Sequence, residues 1–438
     1  MIGNMATETI FAPSTAPGKA GVAVVRVSGS EAKEALEQIA GLVPVPRAAQ
    51  LAMLRDPRSR EVLDKGLVLF FPAPHSFTGE DVAEFQIHGS RAVVAGLIGA
   101  LVSIPGLRLA EPGEFVRRAF ENGKMDLAET EALADLLAAE TAAQRRQALN
   151  GLESGLGPKA EAWRGELIQA QALIEAEIDF PDEGDVPAGL IARAQEIASA
   201  LSQNIHRVLA APDGARLREG AVVVIAGPPN VGKSSFLNRV AKREVAIVTP
   251  HAGTTRDLLE LPLDLGGFPV ALIDTAGFRD ATDPVEIEAI ERAAQRAASA
   301  DLVLWFSDDP RTDSVPSDFA NLVVWGVRTK ADLQSADAGQ RFIISAATGS
   351  GISELLSALS EHLASVLTPQ ELALVTRRRH RDALEEARRE LQACVSIAEP
   401  ELLAEVLRRA ARSLGRISGR VDVEDVLDAV FGSFCIGK

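Results

Sequence analysis

The sequence predicts a multidomain protein of α/β and all-α parts: an N-terminal α+β domain, a central α-helical domain, and an α/β domain inserted into the helical one. Three observations carry this. A chain of 438 residues has room for two to four domains at roughly 100–200 residues each. Up to about residue 120, short β-like runs alternate with helical ones amid dense Pro and Gly, and then a breaker-poor stretch rich in Ala, Leu and Glu begins. From Ala221 to about residue 365 strand-like runs alternate with helices, and helices without strands of their own lie on both sides.

In order along the chain, Gly21–Val27, Gly66–Phe71 and Ala83–His88 read as strands, and Ser30–Gly41 and Ser90–Ser103 as helices. Met125–Asn150 reads as long helix with apolar residues at three- and four-residue spacing, and Ala160–Ile178 continues it. A break from Asp179 to Asp185 leads into a helix ending near Leu209. Within the inserted domain, strands are expected at Val222–Ala226, Pro269–Ile273, Leu302–Phe306, Leu322–Val327 and Phe342–Ser345, in a parallel sheet. Helices follow over Pro369–Ser396 and Glu401–Leu414, divided at Pro400. The resulting boundaries are 1–120, 121–212, 213–370 and 371–438.

Composition narrows the class. With 47% hydrophobic and 24% charged residues the chain is globular in type, and its longest apolar runs are too short to span a bilayer, so no membrane association is expected. Lys and Arg number 45 against 61 Asp and Glu, a net charge of −16, so contact with nucleic acid must be local or delegated to a partner. Two cysteines, Cys394 and Cys435, cannot form a disulfide framework, and no secretory start opens the chain, which points to a reducing cytoplasm. A lone cysteine is most simply a small buried hydrophobe.

The chemistry lies in the inserted domain. Residues 227–234, Gly-Pro-Pro-Asn-Val-Gly-Lys-Ser, fit the phosphate-loop pattern directly between a strand and a helix. The amides of Asn230, Val231, Gly232, Lys233, Ser234 and Ser235 would cradle phosphates, with Lys233 reaching the β and γ oxygens and the Ser234 hydroxyl binding Mg²⁺. Asp274-Thr275-Ala276-Gly277 follows a strand, placing a carboxylate at its end for the Mg²⁺ shell and a glycine near a γ-phosphate. Gly253-Thr-Thr-Arg-Asp257 lies between them, and its Thr255 can add a second hydroxyl to the metal. These residues resemble the Ras-like, translation-factor class of small GTPases. Thr329-Lys330-Ala331-Asp332 is similar to that class's Asn-Lys-x-Asp guanine reader, with threonine where the class has asparagine, and Ser345-Ala346-Ala347 resembles its supporting loop. GTP is the expected substrate. Phe278 stands where such GTPases often carry a water-orienting glutamine. Another device is then needed: a monovalent cation held by Asn230 and covered by Thr249-Pro-His251-Ala-Gly-Thr254, with Asp280, Asp283, Glu286 and Glu288 as the pool for orienting water.

The domain order, Arg256-Asp257, Phe278-Arg279 and the terminal Phe434-Cys-Ile-Gly-Lys438 together resemble the MnmE (TrmE) family of tRNA uridine-modification GTPases over essentially the whole chain. That resemblance implies a cytoplasmic, K⁺-stimulated GTP hydrolase. With the FAD- and NADH-dependent MnmG, in a heterotetramer-type complex, it would place an aminomethyl or carboxymethylaminomethyl group at C5 of the wobble uridine of certain tRNAs. The one-carbon unit would come from a 5-formyl- or methylene-tetrahydrofolate in the N-terminal domain, through which a homodimer would form. By the same resemblance the folate contacts fall on Arg26, Glu84, Lys124 and Lys438, the K⁺ site on Asn230, Thr249, His251 (backbone) and Thr254, and the water-orienting carboxylate on Glu286. Cys435 is the terminal cysteine that the family places near the folate across a dimer interface. A ribosome-assembly GTPase that binds rRNA is the rival reading, and it predicts an appended RNA-binding module where this chain has helices and Cys-Ile-Gly-Lys. The basic run Arg377-Arg-Arg-His-Arg381, with Arg408, Arg409 and Arg412, reads first as a solvated helix face and second as a tRNA contact.

Overall fold

The computed structural model describes residues 8–179, 189–243, 245–247, 260–274, 300–308, 315, 319, 321–333, 341–367, 373–421, 424–432, 434 and 437. The chain divides into two compact units, one of residues 1–134, 157–165 and 411–438, the other of residues 135–156 and 166–410.

The first unit is built on a six-stranded sheet of β1 (Thr9–Pro13), β2 (Ala20–Ser28), β3 (Gln50–Arg55), β4 (Val62–Phe71), β5 (Val82–Gly89) and β6 (Leu107–Leu109), ordered β3-β4-β5-β2-β1-β6. Every pairing is antiparallel except β1 with β6. One face carries Phe11, Val25, Val27, Phe85 and Ile87 and is closed by α1 (Ala32–Ala40) and α2 (Arg91–Val102), whose Leu36, Ile39, Leu97 and Leu101 complete the core. Ile10 and Ala12 on the opposite face pack under Phe115 of α3 (Glu114–Glu121). At the open end of that helix a charged cluster replaces apolar packing. Arg118, 5% exposed, donates to Glu80 at 3.1 Å and Glu114 at 3.0 Å, and Glu114, 4% exposed, also takes two bonds from Arg108. Glu114 is held below the usual carboxylate range because these partners outweigh the burial that opposes ionisation.

The sequence predicted one long helix over Met125–Asn150, and the structure shows two, α4 (Leu127–Ala138) and α5 (Ala142–Ser154). Thr141 interrupts them as an N-cap, its hydroxyl accepting from the Gln144 amide while Gln144 Oε1 accepts from the Thr141 amide at 3.2 Å. Helical propensity is high throughout the stretch, so only the Thr-x-x-Gln box marks the break.

The second unit carries α7 (Leu190–Leu209), α8 (Ala215–Glu219), most of α6 (Leu156–Asp179), and a sheet of β7 (Ala221–Ala226), β8 (Glu260–Leu265), β9 (Phe268–Asp274), β10 (Leu302–Ser307), β11 (Val324–Arg328) and β12 (Phe342–Ile343). Its order is β12-β11-β10-β7-β9-β8, parallel except for the β8–β9 hairpin. The parallel core follows the sequence reading, which did not include β8; this antiparallel strand lies at the sheet edge, where its Pro262 is tolerated. α9 (Lys233–Val240) and α10 (Ile352–Leu367) cover one face through Phe236, Leu237, Leu355 and Leu359. α11 (Arg378–Cys394) packs along α7, α12 (Pro400–Ser418) begins at the expected proline, and α13 (Glu424–Gly432) follows in the first unit. Among the described residues no helix is long and apolar enough to cross a membrane.

Asp126 caps α4: its Oδ1 accepts from the Glu129 amide at 2.8 Å while Glu129 Oε2 accepts from the Asp126 amide at 2.7 Å. Burial, and then the charges of Glu129 and Glu161, push its carboxyl up from 3.8 to about 6. The folded chain therefore binds more protons than the unfolded one between those two values, so this group's contribution to stability falls as pH rises through that window. Asp126→Asn keeps the capping acceptor and removes the titration. We expect its urea midpoint to vary less than the parent's between about pH 4 and 7; superimposable pH profiles would show that Asp126 does not carry the dependence.

Candidate functional site

β7 is buried along its whole length and delivers the chain to Gly227 at a φ of +146°. A Cβ on Gly227 would lie 2.1 Å from the Phe306 carbonyl oxygen of β10, so only glycine lets the loop pass there. Asn230 (φ 63°) and Gly232 (φ 102°) are also left-handed, which turns loop amides toward one concavity just ahead of α9. Val231 is buried in the core, and Asn230 and Ser235 are exposed. Lys233 is nearly buried, and its Nζ donates to the Gly227 and Pro228 carbonyls at 2.8 Å each. Ser234 Oγ donates to Asp274 Oδ2 at 3.2 Å, which brings a hydroxyl from the first turn of α9 and the carboxylate at the end of β9 side by side. Two such oxygens suit a hard divalent cation.

The base-reading segments converge at the same edge of the sheet. Thr329, buried just after β11, donates through its amide to the Ser307 carbonyl at 2.9 Å. Lys330, in a left-handed conformation, pairs through Nζ with Asp308 Oδ2 at 2.5 Å. Ser345 is fully buried; its hydroxyl donates to Asp332 Oδ1 at 2.6 Å and accepts from the Thr348 amide. Asp332 is exposed, and its Oδ2 has no partner among the described residues. Past Ala346, the loop is braced by Arg239 of α9, which donates to the Ala347 and Thr348 carbonyls at 2.9 Å. Asp308 and Arg239 were not singled out in the sequence, although Asp308 directly follows a predicted strand, where ligand groups gather. Thr249, His251, Thr254, Thr255, Thr275, Ala276, Gly277, Phe278 and Glu286 lie outside the described residues.

In the first unit, Arg26 and Glu84 are direct cross-strand partners on β2 and β5, and Arg26 Nε and Nη2 donate to Glu84 Oε1 at 3.0 and 2.9 Å. The guanidinium stands 5.5 Å from the Phe77 ring centre and 6.0 Å from that of Phe115. Lys124 Nζ donates to the Pro74 carbonyl at 2.9 Å. The end of the chain is nearby in register. Ser14 Oγ donates to the Gly437 carbonyl at 2.9 Å, and a Cβ on Gly437 would lie 2.0 Å from the Pro13 carbonyl oxygen, while Ala12 is the strand partner of Arg26. Cys435 and Lys438 themselves lie outside the described residues. The same sheet face continues past Glu84 to Leu69 and on to Leu67 and its partner Leu51, which are 37% and 55% exposed. Cys394, by contrast, is buried in α11 and unbonded to another cysteine, and burial first, with Glu390 adding, raises its thiol to about 11.

Comparison with known proteins bears on both sites. A family model described as "MnmE helical domain" matches residues 127–435, and one described as "GTP-binding protein TrmE N-terminus" matches residues 9–124. The chain belongs to the MnmE family of tRNA modification GTPases. It is 53% identical to the tRNA modification GTPase MnmE of Rhodopseudomonas palustris, over 98% of this chain and 99% of that one. Its identity to the Bradyrhizobium relative of the same name is 52%, with the same coverage of each, and to the Parvibaculum lavamentivorans relative 51%, over 98% of this chain and all of that one.

Ser345→Ala removes the hydroxyl that donates to Asp332 Oδ1 and accepts from the Thr348 amide. Loss of a hydrogen bond to a charged group predicts guanine-nucleotide affinity lower by about tenfold, with kcat at saturating GTP nearly unchanged. Titration with a fluorescent GDP analogue measures this; an unaltered Kd would mean that Ser345 does not position the base reader.

Proposed function

We propose that this member of a tRNA modification GTPase family hydrolyses GTP in a K⁺-stimulated manner in the cytoplasm and, with the FAD- and NADH-dependent MnmG, installs an aminomethyl or carboxymethylaminomethyl group at C5 of the wobble uridine of certain tRNAs. The observation that carries the GTPase half is the gathering of Lys233, Ser234, Asp274, Lys330, Asp332 and Ser345 at the carboxyl ends of β7, β9, β11 and β12. In this reading the loop amides and Lys233 hold the phosphates, Ser234 and Thr255 hold Mg²⁺ with Asp274 in its shell, and Asp332 accepts from guanine N1–H and N2–H₂. Thr275, Ala276 and Gly277 would contact the γ-phosphate in the same reading.

Asn230 supports the cation proposal: it is exposed, inside the phosphate loop, and carries a side-chain carbonyl that can ligate a cation. With Thr249, the His251 carbonyl and Thr254 it would hold K⁺, which supplies positive charge beside the nucleotide, and Glu286 would orient the attacking water. GTP hydrolysis in K⁺ is expected to exceed that in Na⁺ at equal ionic strength by at least about tenfold. Equal rates would remove the cation from the mechanism.

The folate half rests on the Arg26–Glu84 pair. A guanidinium between two aromatic rings, a carboxylate and Lys124 offer groups of both signs to a ligand with an anionic tail and a polar ring system. The apolar strip of Leu51 and Leu67 on the same face supports a homodimer joined through this domain, and Lys438 and Cys435 would reach the ligand from the chain's end. For this assembly we adopt functional divisions at 1–120, 121–212, 213–370 and 371–438. Calorimetric titration with 5-formyl-tetrahydrofolate is expected to saturate, and to weaken by about tenfold or more in Arg26→Ala, which strands Glu84 as well. Absence of saturable binding by the parent chain would leave the GTPase without the proposed carbon source.

A further inference from the structure

α11 lies along the last turns of α7, and the two helices enclose a groove of about 350 Å³ within the second unit. Arg381, Glu385, Arg388 and Gln392 recur on α11 at intervals of three and four, and Arg389, four residues after Glu385, widens the stripe, which lines the groove with His206 of α7. Three guanidiniums against one carboxylate make this a positive patch on a chain whose balance is −16. Compensation separates Arg388 and Arg389 from Arg381 and from the arginines around them. Arg377 pairs with Asp135, Arg409 with Glu390, Arg408 with Glu405, and Arg381 with Asp213 at 3.5 Å. Arg388 and Arg389 have no carboxylate partner among the described residues.

Arg388 instead stands 3.3 Å from His206 Nδ1. A guanidinium can only donate, so Nδ1 must accept, which puts the imidazole proton on Nε2 and gives the groove one more donor. The patch is thus two uncompensated guanidiniums and an N–H, with a carboxylate and an amide one turn away on either side.

We propose that this groove binds the sugar-phosphate backbone of the tRNA, with Arg388 and Arg389 on neighbouring phosphodiesters and Glu385 and Gln392 accepting from ribose 2′-hydroxyls. The proposal rests on tRNA being the substrate of the reaction above. The mixture of signs fits this occupant: a ribose-phosphate chain presents anionic acceptors for the guanidiniums and, between them, 2′-hydroxyl donors that Glu385 and Gln392 can accept from. A few backbone contacts also fit a chain with a net negative charge, since they position the RNA without reading its sequence.

The test uses the full-length chain and a fluorescently labelled transcript with uridine at the wobble position, its affinity measured by anisotropy over a salt series. The double substitution Arg388→Ala and Arg389→Ala is expected to weaken binding by about tenfold or more, and to lower the slope of log K against log salt by about 1.5, for two lost phosphate contacts. The lysine pair, Arg388→Lys with Arg389→Lys, should restore the slope and only part of the affinity. GTP hydrolysis without RNA, and thermal unfolding, should match the parent, since these residues lie outside the nucleotide site. An unchanged affinity and slope would overturn the proposal, as would a parent chain that binds no tRNA while still supporting modification with its partner. A double variant that loses MnmG while keeping tRNA would assign the groove to a protein surface instead. In each of these outcomes the parent's modification activity reports separately on the functional reading.

Discussion

The second unit is organised by the passage of the phosphate loop across β10. The Phe306 carbonyl leaves no room for a side chain at position 227, and this close approach brings β7's end, β10's end and the start of α9 together. Phe306 acts a second time through its ring, which meets Phe236 of α9 edge-on at 5.2 Å. One residue therefore fixes where the loop begins, through its backbone, and where the following helix sits, through its side chain. Lys233 is then forced inward, and its ammonium donates to two loop carbonyls. Its position brings a positive charge to the loop, beside the backbone amides that would receive an anion.

The first unit solves a different problem, holding α3 against a sheet face that is not wholly apolar. The buried Arg118 links Glu80, Glu114 and the Glu8 carbonyl, and Glu80 also accepts from Ser28. Such a cluster adds little net stability compared with apolar packing, but losing one member strands the others, so it fixes position more than it adds energy. Ser28 and Arg26 lie two residues apart on β2 and thus share a face. The cluster that seats α3 consequently also seats Phe115 beside the Arg26 guanidinium, and the buried end of the helix determines the surroundings of the exposed ion pair.

How much of this was legible in the sequence depends on the range over which each feature is encoded. The phosphate loop, Asp274 and Thr329–Asp332 are local motifs at strand ends, and their chemistry was readable because strand, turn and helix follow within a few residues. β1, β3 and β6 were missed: they are short, and their pairing is set by neighbours far along the chain, as Thr9 with Leu107 shows. The Arg26–Glu84 pair spans 58 residues, and by residue type alone Arg26 reads as an edge-strand charge. Propensity also misled over 125–150, where a two-residue capping box outweighed an otherwise continuous helical signal. In the basic run at 377–381 the sequence offered a solvated face, and the structure pairs Arg377 and Arg381 with Asp135 and Asp213. The uncompensated charge lies two turns further on, at residues the run did not include.

Net charge consequently says little about which anions the chain can hold. The phosphate loop draws its field from backbone amides, which carry no formal charge, and from one ammonium that donates to two loop carbonyls. Neither changes if acidic residues elsewhere are added or removed. The balance of −16 acts at longer range, where salt screens it within about 8–10 Å, so it slows the approach of a polyanion more than it weakens a formed contact. Short-range geometry then decides which anions stay, and an arginine without a carboxylate beside it counts for more than the total.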